Sequence, residues 1–102
     1  MKAILLAVVF CLLAICFSCR HRPAPATMAA ELACGQCQFG MAGTNCNLAV
    51  RFAGKAYFVS GFHIDQFGDA HATNGFCNAI RQARVIGRVE HDRFVAEKIE
   101  LR

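Results

Sequence analysis

Two cysteines three positions apart, Cys34 and Cys37, are the residues of this sequence with the most chemistry to offer. Three further residues of the kinds that join such a pair follow later in the chain, namely Cys46, His71 and Cys77. Thiols at this spacing can hold one metal ion, form a redox-active disulfide, or bond separately to two distant cysteines. Which of these occurs largely decides what the protein does.

A metal site is the first of these alternatives. Structural zinc takes four nitrogen or sulfur ligands, of which the Cys-x-x-Cys motif provides two. Cys77, with either Cys46 or His71, would complete the set. Asp69, two residues before His71, is a candidate ligand or a carboxylate that orients that histidine. Mixed sulfur and imidazole ligation suits zinc, and thiolates alone also suit copper(I). The spacing of the later cysteines matches no standard zinc-finger pattern.

Structural disulfides are the alternative that the sequence favours. Four cysteines allow three pairings. A bridge within the motif closes too short a loop to stabilise a fold by much, whereas bonds from the motif to Cys46 and Cys77 close longer loops. A thiol–disulfide redox module is the third alternative, and it has the least support. Such a motif lowers the pKa of a thiol best when it opens a helix, and here it falls in a predicted strand.

The residues before position 31 resemble an export signal and a tether. A lysine precedes an uncharged apolar run over residues 3–17, which is shorter than the roughly 20 residues that a membrane span needs and typical of a secretory signal peptide. Ser18-Cys19, at the end of that run, resembles the processing site of bacterial lipoproteins, where the cysteine carries lipid. We therefore expect a signal peptide over residues 1–18, followed by a lipidated Cys19 and a flexible tether over residues 19–30. Cleavage after Ala26 and retention as an uncleaved anchor are the alternatives.

Setting the leader aside changes the charge balance. Three of the 11 Lys and Arg precede residue 31, which leaves eight against seven Asp and Glu. A nearly neutral domain gives no support to nucleic-acid binding. The four cysteines of the domain would face an oxidising compartment, where disulfides persist. We expect a membrane-anchored protein of the bacterial cell envelope that faces the periplasm, with the membrane as its partner and no nucleic acid. The sequence identifies no protein partner.

Alternating apolar and polar residues predict a mainly β domain over residues 31–102. The predicted elements are strands at residues 31–39, 46–52, 56–60, 83–90 and 93–101, with a short helix near residues 75–82. The apolar phase slips between Phe94 and Ile99, which predicts a β-bulge. Five short strands with a helix between the third and fourth is the order of the OB-fold, a small barrel. A domain this small buries limited apolar surface, so crosslinks or a metal would help it to fold.

Several blocks of this domain follow one another in a characteristic order. They are Cys34-Gly-Gln-Cys-Gln-Phe-Gly40, Cys46-Asn-Leu-Ala-Val50, Gly54-Lys-Ala-Tyr-Phe-Val59, Gly68-Asp-Ala-His71 and Gly75-Phe-Cys-Asn-Ala-Ile-Arg81. Together they resemble an uncharacterised family of small exported bacterial proteins, over about residues 31–102. The resemblance implies a Gram-negative envelope protein with a small β-rich domain, and it implies no activity.

No Ser/His/Asp set, phosphate-binding loop or informative carboxylate pair is visible in the sequence, so we expect no enzymatic activity. The sequence predicts a non-enzymatic, membrane-tethered lipoprotein with a small cysteine-rich OB-like barrel whose thiols form structural disulfides. A zinc- or copper-binding envelope protein is the alternative, and a thiol–disulfide redox module is a further one.

Overall fold

The structure is a computed structural model that describes residues 23–102. The predicted signal peptide and the predicted lipidation site at Cys19 lie outside the described residues. None of the helices in the described part is long and apolar enough to cross a membrane. The first strand begins at Ala26, so residues 26–30 belong to the folded domain and not to the predicted tether.

Five strands close into a barrel. They are β1 (Ala26–Cys34), β2 (Leu48–Phe52), β3 (Lys55–Ser60), β4 (Arg81–Glu90) and β5 (Arg93–Leu101). Around the barrel the order is β1-β2-β3-β5-β4, and β4 pairs again with β1. Among the strands of the described residues, only β3 and β5 pair in parallel, with Val59 opposite Phe94. The described residues also contain a one-turn helix, α1 (Gly35–Gln38), and a 3₁₀-helix (Ile64–Phe67). This arrangement confirms the predicted mainly β, five-stranded OB-like barrel.

Two tight turns connect the antiparallel hairpins. Ala53 and Gly54 join β2 to β3 with φ angles of 50° and 77°, and His91 and Asp92 join β4 to β5 with φ angles of 50° and 61°. Two successive residues with positive φ give a two-residue turn whose twist matches the right-handed twist of the strands. The conformation of both turns is therefore set by the backbone dihedral angles of their two central residues.

The predicted bulge lies in β5. Ile86 faces Lys98 and the next residue, Gly87, faces Ala96, so Glu97 is the extra residue. This confirms the slip of the apolar pattern in the last strand. Gly87 lies against Phe94, and a β-carbon built at this glycine would lie 2.8 Å from that ring. The bulge and the glycine together let the aromatic ring lie across the backbone of β4.

The barrel core consists of the inward-facing residues of all five strands. The largest fully buried side chains are Phe94, Leu32, Val50, Val85 and Cys34. The ring of Phe52 meets that of Phe94 edge to face, with 5.7 Å between the centroids. Full burial of each large apolar side chain stabilises the fold by about 1.5–3 kcal/mol. Cys34, one of these fully buried side chains, is a thiol.

The predicted helix and several of the predicted strand bounds are wrong. The helix predicted at residues 75–82 is instead a turn in which the amides of Asn78 and Ala79 donate to the carbonyl of Gly75. β4 begins at Arg81, because Arg81 already pairs with Leu32 of β1. The first strand ends at Cys34 and not at residue 39, since the chain turns there into α1.

Candidate metal centre

The four cysteines of the domain converge on one point. The Sγ atoms of Cys34, Cys37, Cys46 and Cys77 all lie within 4.8 Å of one another, and those of Cys37 and Cys46 are 3.9 Å apart. Four thiolates at about 2.3 Å from a tetrahedral zinc ion lie about 3.8 Å apart, whereas disulfide sulfurs are separated by about 2.05 Å. All four cysteines of the described residues are free thiols, so the predicted disulfides are not seen.

The Cys-x-x-Cys motif is formed by the end of β1 and the turn of α1. Cys34 caps α1, and its Sγ accepts a hydrogen bond of 3.4 Å from the backbone N–H of Cys37. Gly35 follows Cys34 and is buried. A β-carbon built there would lie 2.7 Å from Sδ of Met41 and 2.8 Å from the ring of Phe58. Only glycine fits this turn, and the turn points both thiols to the same side.

Cys46 is positioned through its neighbour Asn47, which bonds to both residues between the two cysteines of the motif. The Nε2 atom of Gln36 donates to Oδ1 of Asn47 over 2.8 Å. The backbone N–H of Asn47 donates to Oε1 of the same glutamine over 3.0 Å. The carbonyl of Asn47 also accepts from the N–H of Gly35 over 2.8 Å. These contacts fasten the segment before β2 to α1 and place Cys46 beside Cys37.

Cys77 comes from the long connection between β3 and β4. Its backbone N–H donates to the carbonyl of Ala70 over 2.9 Å, and its own carbonyl accepts from Nε2 of Gln38 over 2.8 Å. The carbonyl of the preceding residue, Phe76, accepts from the N–H of Cys34 over 2.9 Å. The backbone around Cys77 is thus bonded directly to both ends of the Cys-x-x-Cys motif.

The four thiols differ in exposure, and Cys34, Cys37 and Cys77 also differ in pKa. Burial acts to raise the pKa of Cys34, but hydrogen bonds from the backbone N–H and thiol of Cys37 outweigh it and lower that pKa. The hydrogen bond to Cys34 raises the pKa of Cys37 to about 11, and burial raises that of Cys77 to about 12. Without a metal, Cys34 is therefore more acidic than Cys37 and Cys77. A bound cation would displace the protons of these thiols.

In the absence of a metal, the same arrangement argues against thiol–disulfide exchange between the two cysteines of the Cys-x-x-Cys motif. The motif does open a helical turn, where we expected a strand. However, Cys34, the thiol with the lowered pKa, has an exposed fraction of 0%. The exposed thiol, Cys37, has a raised pKa. A redox-active motif needs its low-pKa thiol to be accessible. The order of acidity and exposure in this site is the reverse of that requirement.

His71 and Asp69 lie outside the group of cysteines. Their side chains are 77% and 72% exposed, and Nδ1 of His71 is 3.9 Å from Oδ1 of Asp69. The same carboxylate oxygen accepts from the backbone N–H of His71 over 2.9 Å. In the described part of the chain, the group of residues able to share one metal ion contains the four cysteines alone. The histidine and the aspartate shape the loop that leads to Cys77.

Gln36 and Gln38 are the positioning residues that sequence reasoning missed. Each reaches from α1 to a segment that carries another cysteine. The sequence signals them only by their position, since Gln36 and Gln38 stand directly before and after Cys37. A glutamine beside a cysteine does not by itself indicate a function. The role of these two side chains is evident only once the structure shows their partners, Asn47 and the carbonyl of Cys77.

A cleft of about 170 Å³ opens beside the centre. The residues that line it include Cys46, Leu48, Phe62, His63 and Arg93. Arg93 is fixed there by hydrogen bonds to Oγ of Ser60 and to the carbonyl of Val59. The cleft gives solvent a route to the thiol of Cys46.

Comparison with known families finds one match. A family model described as a family of unknown function (DUF6370) covers residues 28–102, which is the whole barrel except the first residues of β1. Neither the curated proteins nor the solved structures contain a match to this chain. The resemblance to an uncharacterised family is confirmed, and export of the chain stays a prediction.

Proposed function

Since this chain belongs to a family of unknown function (DUF6370), we infer its function from the thiol cluster, and we propose that the domain binds one zinc ion through four cysteine thiolates. The observation that carries the proposal is the mutual approach of all four Sγ atoms to within 4.8 Å. Two separate disulfides would require closeness only within each pair. A single central ion requires closeness among all four, at about the 3.8 Å that tetrahedral zinc sets.

The proposed role of the ion is structural. Four protein ligands fill the coordination of zinc and leave no open position for a substrate or a reactive water. The ion would fasten three separate segments, which are the end of β1 with α1, the segment just before β2, and the turn before β4. A barrel this small gains little from its core alone, so a metal crosslink contributes much of its stability. We therefore propose a non-enzymatic binding module.

Metal analysis of the full chain, purified under reducing conditions, tests the proposal. We expect one zinc per chain by native mass spectrometry and elemental analysis. Cys34→Ser and Cys77→Ser should lose it, since each removes one of four ligands. His71→Ala is the matched control. It changes an exposed residue in the loop before Cys77 and should keep the full complement of zinc.

Other outcomes would overturn the proposal in recognisable ways. Two disulfides would lower the intact mass by about four hydrogens and leave no thiol to alkylate. Copper(I) bound in preference to zinc would keep the thiolate cluster but change the ion. Loss of zinc in His71→Ala would restore that histidine as a ligand.

We propose further that the domain is tethered to an envelope membrane through lipid on Cys19. The sequence pattern Ser18-Cys19 supports this, and β1 starts within a few residues, at Ala26. Metabolic labelling with a palmitate analogue should mark the wild type and spare Cys19→Ala, which should be released from membranes. An unlabelled wild type whose first residue is Thr27 would show ordinary cleavage instead.

A further inference from the structure

The thiol cluster has an inner and an outer pair. Cys34 and Cys77 are buried, with exposed fractions of 0% and 9%. Cys37 is exposed and Cys46 is partly exposed. The two outer sulfurs are 3.9 Å apart, and Cys46 also lines the cleft beside the site. A solute that reaches this centre therefore meets the outer pair first.

We propose that Cys37 and Cys46 form an oxidation site that releases the metal. This inference rests on the proposed zinc centre and names how that centre is regulated. A two-electron oxidant such as hydrogen peroxide takes two electrons from the outer pair, which joins the two sulfurs as a disulfide. The O–O bond breaks and, with two protons, the peroxide leaves as two water molecules. Zinc keeps only Cys34 and Cys77 and dissociates, because two thiolates do not make a stable structural site.

Local geometry selects this pair over the other pairings. The outer sulfurs need to approach by less than about 2 Å to reach disulfide length. Residues 42–45, which lead into Cys46, are all exposed, so this segment can shift without disturbing the core. Cys34 and Cys77 lack that freedom, since both are buried. Cys34 ends β1, and the backbone N–H of Cys77 donates to the carbonyl of Ala70. Oxidation thus proceeds from the outside of the cluster inward.

Zinc release and disulfide mapping on the same sample test the proposal. The zinc-loaded full chain is treated with hydrogen peroxide while a chromogenic chelator records free zinc, and the bridge is then mapped by peptide mass spectrometry. We expect one zinc per disulfide formed, a Cys37–Cys46 bridge in the first product, and recovery of zinc binding after a thiol reductant.

Two variants separate this mechanism from its rivals. Cys37→His keeps a metal ligand but cannot form the bridge, so its release of zinc should be slower by about tenfold or more. Met41→Leu removes another oxidisable side chain next to Gly35 and should release zinc at the wild-type rate. Unchanged release in Cys37→His, or a first bridge that includes Cys34 or Cys77, would overturn the assignment. A chain that binds no zinc would refute the proposed function, while the first bridge formed by its free thiols would still test the pair.

Discussion

The two hairpin turns and the two long connections of this barrel are held in different ways. Each hairpin turn consists of two residues with positive φ, and the strands on either side continue the same backbone ladder. The long connections, residues 35–47 and 61–80, carry Cys37, Cys46 and Cys77, and they contain only short helical turns. Their backbone is bonded at a few points, most of them next to a cysteine.

This difference shows which parts of a small barrel need a constraint beyond backbone hydrogen bonds and core packing. A two-residue turn costs little chain entropy and is fixed by local dihedral angles. A long connection loses more conformational freedom when it folds, and the apolar surface available here to offset that loss is small. Sulfur ligands on three segments can supply the missing constraint, since one ion then anchors both connections to β1.

The largest effect is expected from removal of the metal. In the reduced, chelator-treated protein, amides of the long connections should lose about a hundredfold of their hydrogen-exchange protection, as a site held at about 100 times its Kd contributes about 2.7 kcal/mol. The diagnostic amides are those of Gly35 and Cys77, which donate to Asn47 and Ala70. Amides of the β2–β3 hairpin should keep their protection.

Hydrogen exchange followed by mass spectrometry, on zinc-loaded and zinc-free samples, makes that measurement. Equal loss of protection in the hairpin would mean that the ion stabilises the entire barrel and that the two kinds of connection are not distinct. Unchanged protection at Gly35 and Cys77 would mean that the cluster does not hold the long connections.

A smaller effect is expected from Gly35→Ala. The added methyl group would contact Met41 and Phe58 inside a packed turn, and overpacking of this kind costs about 1–3 kcal/mol. Because the turn positions both thiols of the motif, zinc affinity should fall as well. Urea unfolding and a zinc competition titration measure the two effects.

Gly40→Ala is the matched control for this change. Gly40 also lies near α1, but a β-carbon there meets nothing within 4 Å and the residue has a φ of 65°. The expected cost is about 1 kcal/mol, from the left-handed backbone alone, with zinc affinity unchanged. If both variants lose zinc equally, the close packing at Gly35 is not what sets the geometry of the site.

The smallest effect is expected from Glu31→Gln on the surface between β1 and β2. Two hydrogen bonds join Arg51 to Glu31, with lengths of 2.9 and 3.1 Å, and the same guanidinium lies 4.6 Å from the ring centre of Phe39. The Arg51 hydrogen bond lowers the pKa of Glu31 below its ordinary 4.5. The ionised carboxylate therefore stabilises the fold at neutral pH, and this contribution is lost as the pH falls below 4.5 through the folded-state value.

Urea midpoints of the wild type and Glu31→Gln, compared from neutral pH downward, check this linkage. The wild type should be slightly more stable at neutral pH, and the gap should close on acidification. Both proteins lose thiolate ligands to protons in the same way, so the difference between them isolates the ion pair. A gap that widens with falling pH would contradict the assigned direction.

Much of the fold could be predicted from local patterns of apolar and polar residues in the sequence. The period-two alternation over residues 83–90 placed a strand because one face of β4 is buried. The alternation over residues 46–52 also placed a strand, although residues 48–50 are buried on both faces of β2. The slip between Phe94 and Ile99 marked the bulge at Glu97, since one extra residue reverses which side chains face inward. The helix at residues 75–82 was wrong because pairing of Arg81 with Leu32 outweighed a weak local helix signal.

For the site, the sequence by itself determined the chemical possibilities. Cys34 and Cys37 at C-x-x-C spacing, with Cys46 and Cys77 to follow, established that thiols are the reactive groups and that four of them belong to one domain. Spacing could not choose between disulfides, a metal and redox chemistry, because each of these needs only that the thiols meet.

Tertiary structure decided how the thiols meet. The barrel brings all four Sγ atoms within 4.8 Å of one another, buries Cys34 and Cys77, and leaves Cys37 exposed. It also leaves His71 outside the cluster, although the sequence placed that residue among the candidates. The physical reason is that distances and exposure depend on pairings between distant segments, such as Cys34 with Phe76 and Gly35 with Asn47, which local sequence patterns do not encode.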